Sequence, residues 1–185
     1  MDNPWKPTRA QILAAAHRTV PDVIARDLSV LFCGINPGLY TAAVGHHFAR
    51  PGNRFWKVLY EAEFTERLLS PFDERELLKS GYGITNVAPR ATATADLLTK
   101  AEILAGGKQL ISKVRRYRPR ILAILGLGAY RTVFHQAQAG VGRQDEQIGS
   151  TIIWVLPNPS GLNAHYQQKD LARLFGELRK AADFR

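Results

Sequence analysis

"LFCGINPGLYTAAVGHHFARPGNRFW", residues 31–56, opens as an apolar run and then breaks into Gly, Pro, Asn, His and Phe before a helix start signalled by Asn53. The run itself, "LSVLFCGI" over residues 28–35, is rich in strand formers and bounded by Gly34 and Pro37, which predicts a short buried strand. Such a strand delivers Asn36 to its tip and leaves Phe48 in the irregular stretch beyond it.

Outward from that strand, "YGITNVAP" (residues 82–89), "RILAILGL" (120–127) and "STIIWVLPNPSG" (150–161) are three further strand candidates. Between them fall helical patterns: "NRFWKVLYEAEF" with Asn53 as cap, "FDERELLKS" with Asp73 near its start and Gly81 after its end, "KAEILAGGKQLISKVRRY", "GAYRTVFHQAQ" and the closing "QQKDLARLFGELRKAADF". "TRAQILAAAHRT", ended by Pro21, is an added N-terminal helix. The strands are apolar throughout rather than alternating and are separated by helices, so the expected fold is α/β: a three-layer α/β/α arrangement around a mostly parallel sheet of four strands. Residues 1–27 are expected to form a helical extension and residues 28–185 a single domain.

The chain has 185 residues, 45% of them hydrophobic, enough for one full core. It contains no apolar run long enough to span a membrane, and its first residues lack the apolar middle of a signal peptide, so a cytoplasmic protein is expected. The single cysteine, Cys33, lies inside the first strand and reads as core; disulfides and Cys-rich metal or iron-sulfur sites are thereby excluded within one chain. With 25 Lys and Arg against 16 Asp and Glu, the net charge of +9 favours a polyanionic partner such as nucleic acid. "KVRRYRPR" (residues 113–120) would suit phosphate contacts, and reads equally well as a solvated helix end stopped by Pro119.

Ligands of such sheets sit where loops leave the carboxyl ends of the strands. Three of the four strands end in Gly- or Pro-bearing loops with amide or hydroxyl side chains, "GINPGLYT", "TNVAPRATATAD" and "LPNPSGLNAHY", which predicts one site built from all three. Familiar chemistries do not fit. "GLGAYR" has Arg131 where a dinucleotide fingerprint needs its third glycine, "GGKQ" lacks the remainder of a P-loop, and Ser160 in "NPSGL" is not in a nucleophile elbow. The five histidines, His46 and His47 included, show no metal-ligand spacing, and neither a metal nor a cofactor is expected. What remains is amide chemistry, Asn36 and Asn158, with aromatic faces. Amides orient water and read base edges without titrating, which suits a planar hydrogen-bonding ligand.

"GINPG" followed by "FARPGNRFWKVL" and then "LPNPSGL" closely resembles the mismatch-specific uracil-DNA glycosylases, bacterial relatives of thymine-DNA glycosylase in the uracil-DNA glycosylase superfamily; the likeness runs from about Leu28 to the C-terminal helix. The resemblance implies a monofunctional enzyme, acting as a monomer without cofactor or metal. It would flip uracil mispaired with guanine out of double-stranded DNA, with G·T as a second candidate, hydrolyse the N-glycosidic bond, leave an abasic site and start base excision repair. It gives Asn36 the positioning of the attacking water and Phe48 the stacking on the flipped base. Asn158 stands where the more active branch has a His that stabilises charge on the leaving base. Gly34, Ile35, Thr41 and Asn86 become pocket walls. Ser160, Gly161, Leu162 and Asn163 become the DNA-contacting loop, with Gly161 and Leu162 as the wedge that fills the vacated stack, Leu162 as its apolar tip and their backbone toward the widowed guanine.

Each of these positions has a structural alternative. Leu162 could pack its loop onto the core, Phe48 could be an ordinary core aromatic, and Asp96 in "ATATAD" is either a carboxylate that supplies the base Asn36 cannot be or the N-cap of the following helix. "NAHY" after the wedge departs from the family's pattern and leaves the guanine contacts of residues 163–165 open. Two rival functions are a nucleoside or nucleotide hydrolase and a non-catalytic sensor of damaged nucleic acid.

Overall fold

The computed structural model describes residues 5–183; residues 1–4 of the expected extension and Phe184 of the expected closing helix lie outside the described residues. Among the described residues the sheet has five strands, not four, in the order β2-β1-β3-β5-β4. These are β1 (Val30–Gly34), β2 (Tyr82–Asn86), β3 (Ile121–Leu125), β4 (Gly142–Ile148) and β5 (Thr151–Leu156). The four strands expected from sequence are mutually parallel, and β4 adds an antiparallel edge on β5. Its sequence, GRQDEQI, alternates half-buried and exposed positions with hardly any apolar residues, so no hydrophobic signal marks it. A charged, bulged edge of this kind also discourages pairing with another chain.

The central strands are covered on both faces. Along β1, Val30 and Phe32 point into one core with α3 (Phe55–Glu61) and α6 (Gln168–Asp183), while Leu31 and Cys33 point into the other with α4 (Lys100–Tyr117) and α5 (Leu127–Phe134). Phe32 is the hub of the first core, edge-on to Phe55, Phe64 and Tyr82 and stacked on Phe175. Cys33 is fully buried, and burial pushes its thiol pKa up, so it stays protonated and inert.

Several local expectations change. A short helix, α2 (Leu39–Val44), stands inside the stretch expected to be irregular, ended by Gly45 in the left-handed conformation. The helix expected at "FDERELLKS" is a 3₁₀ helix, Pro71–Ser80, whose cap is Ser70 with Asp73 completing the capping box. The N-terminal helix α1 is only Arg9–Ala14, ending well before Pro21. Val23 exchanges backbone hydrogen bonds with Ile84 of β2 and enters the main core. Ala15 and Val20 pack against Ala42 of α2 and Ala91 of the loop after β2. Among the described residues no helix is long and apolar enough to cross a membrane.

The basic segment at the end of α4 lies away from the strand tips. The Tyr117 carbonyl accepts from the Asp27 amide, just before β1, and Arg120 N–H donates to the Leu28 carbonyl, so Arg115 to Arg120 sit at the amino ends of the strands. The carboxyl ends are a strand length away, about 17 Å for five residues. Part of its charge is engaged: Arg118 pairs with Asp27, Arg120 donates to the Ala182 carbonyl, and Lys113 pairs with Asp22 at 2.5 Å.

Candidate active site

At the carboxyl ends of β1, β2 and β5 the three loops enclose a cavity of about 390 Å³. Its walls include Gly34, Ile35, Asn36, Thr41, Phe48, Asn86, Asp96, Asn158, Ser160, Leu162 and Asn163, so every candidate position except Gly161 reaches it. Gly161 lines a neighbouring cleft with Arg50 and Gly52.

Asn36 is held by its amide nitrogen, which donates to the Arg90 carbonyl at 2.9 Å and to Thr92 Oγ1 at 2.7 Å. The Thr92 hydroxyl spends its own proton on the Thr94 carbonyl, so toward Asn36 it can only accept. That fixes the amide orientation. Both donors are used, and Oδ1 has no partner among the described residues. Asn158 is set the opposite way. Its Oδ1 accepts from the Ser160 backbone N–H at 3.0 Å, which leaves the two Nδ2 protons without a partner among the described residues. One amide thus offers the cavity an acceptor, the other a pair of donors.

Phe48 is both core and wall. Its ring stacks on Phe55 at 4.0 Å with an interplanar angle of 25°, and it lines the cavity. Its φ of +54° is an uncommon backbone state for an aromatic residue, of the sort that tight surroundings hold at functional sites. Gly34 makes room beside it: a Cβ there would come within 2.5 Å of Asn86 Oδ1 and 3.4 Å of the Phe48 ring.

His47, set aside at the sequence level, organises this wall. It is 1% exposed; Nε2 lies 2.9 Å from the Pro21 carbonyl, which needs a donor, so Nδ1 keeps its lone pair toward Asn86 Nδ2 at 3.5 Å. Burial lowers the His47 pKa, in keeping with a neutral ring. Its backbone N–H donates to Glu74 Oε2, and its carbonyl accepts from Trp56 Nε1. His46 meets the other Glu74 oxygen at 2.8 Å. No group of three or more His, Cys, Asp or Glu side chains suited to a metal ion occurs among the described residues. Nothing in the spacing of "HHF" signals the role of His47, since its partners come from residues far apart in sequence.

Asp96 sits in a short 3₁₀ turn, Ala95–Leu97, and does not cap α4. That task falls to Thr99, whose hydroxyl accepts from the Glu102 N–H while Glu102 reaches back to the Thr99 N–H. The Asp96 carboxylate is exposed at the cavity wall and has no ion-pair or hydrogen-bond partner among the described residues. Arg90 ties this turn to Asn36: its carbonyl accepts from the Asn36 amide, and its guanidinium forks onto Glu102 at 2.6 and 3.0 Å and reaches the Leu97 carbonyl at 3.4 Å. The Arg90 fork pulls the Glu102 pKa down to about 2.

Leu162, also in the cavity wall, is 64% exposed and does not pack onto the core. Its loop is cross-braced from within: Asn163 Nδ2 donates to the Asn158 carbonyl, and the Leu162 N–H donates to Ser160 Oγ.

The sequence matches the family model of the uracil DNA glycosylase superfamily over residues 21–179. The fold is similar to a solution NMR structure from Methanosarcina acetivorans, provisionally described as a uracil DNA glycosylase. The two share 18% identity with a TM-score of 0.58, over 88% of this chain and 98% of that one, a likeness of fold. With the family match spanning all five strands and every wall of the cavity, the chain belongs to the uracil DNA glycosylase superfamily.

Proposed function

We propose that the protein hydrolyses the N-glycosidic bond of uracil mispaired with guanine in duplex DNA, leaving an abasic site. The observation that carries this is the gathering, around one cavity, of an acceptor amide, a donor amide, an aromatic ring, a carboxylate with no partner among the described residues and an exposed leucine. Each of them can serve the hydrolysis of this bond. Water attacks C1′ as the C1′–N1 bond breaks and the electron pair departs with the base. Asn36 Oδ1 accepts one hydrogen bond from that water, and Asp96 takes the proton, a contribution of about 10²–10⁴ in rate for a positioned base. Nδ2 of Asn158 donates to the oxygen of the base where negative charge develops.

Phe48 supplies a stacking face, worth roughly 1–3 kcal/mol per base, and its strained φ fits a ring held ready for a ligand. Extruding a base costs a few kcal/mol and costs least at a mismatch, which preselects U·G over U·A. Leu162 suits the apolar wedge that takes the base's place in the stack. A nucleoside hydrolase would gain nothing from an exposed leucine in the cavity wall, and a non-catalytic sensor would not need a carboxylate there.

The test is release of free uracil from matched duplexes carrying U·G, U·A or T·G, from single-stranded DNA and from deoxyuridine. U·G should be the best substrate and deoxyuridine inert. Hydrolysis of deoxyuridine at a rate equal to U·G would favour the nucleoside hydrolase, and binding without release the sensor.

A further inference from the structure

Arg54 stands outside the cavity, yet its side chain makes four hydrogen bonds, all to carbonyl oxygens of the loop that carries Leu162. Nη1 donates to Tyr166 at 2.6 Å, Nη2 to Ser160 at 2.8 Å and Asn163 at 3.0 Å, and Nε to Pro159 at 3.4 Å. The Arg54 backbone N–H also donates to the Pro159 carbonyl at 3.0 Å. No carboxylate pairs with it among the described residues. Four of five guanidinium protons are thus spent on one short loop, an arrangement that a planar fork can satisfy and a single ammonium cannot. The fit is close elsewhere too: a Cβ on Gly161 would lie 2.6 Å from the Gly52 carbonyl oxygen, so only glycine lets the loop settle against the turn before α3.

We infer that Arg54 is the positioning residue of the wedge: it seats the 159–166 loop on the 50–54 turn so that Leu162 is held out, ready for insertion, before DNA arrives. The inference rests on the proposed role of Leu162 in filling an emptied base stack. A free loop would have to be ordered during binding, and the cost of immobilising its side chains would come out of the affinity for opened DNA. A preset loop avoids that cost. Arg54 does not line the cavity and acts only through the loop.

The experiment is a double-variant cycle on Arg54→Lys and Leu162→Ala. Affinity is read by fluorescence anisotropy for a duplex carrying a tetrahydrofuran abasic analogue opposite guanine, relative to the same duplex undamaged. Lysine keeps the charge, so general attraction to DNA is not what changes. Each single variant is expected to lose about tenfold of the preference for abasic DNA, and the double variant about the same as Leu162→Ala alone, because Arg54 has nothing left to position. Wild-type preference in Arg54→Lys, or independent losses multiplying to about a hundredfold, would overturn the inference. Should Arg54→Lys unfold, Gly161→Ala pushes the same loop off its seat with Arg54 intact; a tenfold loss supports the inference and an unchanged preference overturns it. Failure of the wild type to release uracil would sink the proposed function while leaving the cycle readable. A Leu162→Ala variant without loss would remove the wedge itself.

Discussion

Asn36 and Asn158 face one cavity with opposite polarity. The amide protons of Asn36 are consumed by Arg90 and Thr92, leaving its oxygen, and the amide oxygen of Asn158 is consumed by Ser160, leaving its protons. Two residues of the same type are thereby set apart, one as an acceptor and one as a donor, by hydrogen bonds to the backbone and hydroxyls around them; in the proposed reaction the acceptor serves the water and the donors the departing base. Neither can titrate, so their contribution depends on orientation alone.

Orientation of Asn36 is testable through Thr92, which is buried. Thr92→Val removes the acceptor that fixes the amide and should lower the single-turnover rate on U·G about tenfold, the value of one hydrogen bond of about 1 kcal/mol and somewhat more. Duplex affinity should stay within about twofold, and Thr92→Ser should restore the rate. Equal loss of rate and affinity would mean that Thr92 holds the loop rather than the amide.

Asn158→Ala should slow base release about 10- to 100-fold, because a donor to developing negative charge is worth roughly 1.5–3 kcal/mol. Asn158→His, the residue of the more active branch, should raise the rate above wild type. A rate in Asn158→His below that of Asn158→Ala would show that the imidazole is not accommodated and that the donor geometry differs.

Gly34→Ala should abolish most activity while the protein stays folded, since the new methyl group would collide with Asn86 Oδ1 and crowd the Phe48 ring. Circular dichroism and steady-state release together check this. Wild-type turnover in the variant would mean that neither wall needs its present position.

Stability should fall with acid for two reasons. His47 has a folded pKa below its ordinary 6.5, so the unfolded chain binds the extra proton first and stability is lost as pH drops below about 6.5. Glu102 has a folded pKa of about 2 against 4.5, so its contribution is present above 4.5 and is lost as pH falls from there toward 2. Thermal unfolding across pH 2–8 should show both slopes; His47→Gln should remove the upper one and Glu102→Gln the lower.

Much of this architecture was legible in the sequence, for definite physical reasons. Parallel strands buried on both faces are continuously apolar, so β1, β2, β3 and β5 declare themselves, and the loop residues after three of them converge because strand carboxyl ends share one edge. β4 does not declare itself, because an edge strand bearing Arg143, Asp145 and Glu146 has no apolar period to read. The buried role of His47 and the reach of Arg54 to residues 159–166 are tertiary: both depend on backbone carbonyls brought near only by folding. The basic run at residues 113–120 is the instructive case, since its charge was legible but its location was not. For a duplex short enough to cover only the cavity face, Arg50→Gln should lower the slope of log K against log salt by about 1, and Arg115→Gln with Arg116→Gln should leave it unchanged.

The most direct measurement is single-turnover uracil release from a U·G duplex by wild type, Asn36→Ala and Asp96→Ala in parallel, with binding to the same duplex recorded for each. The wild type should release uracil, both variants should lose about 10²-fold or more, and both should retain binding. Release unaffected by either substitution, or no release by the wild type from any uracil-containing DNA, would contradict the proposed reaction.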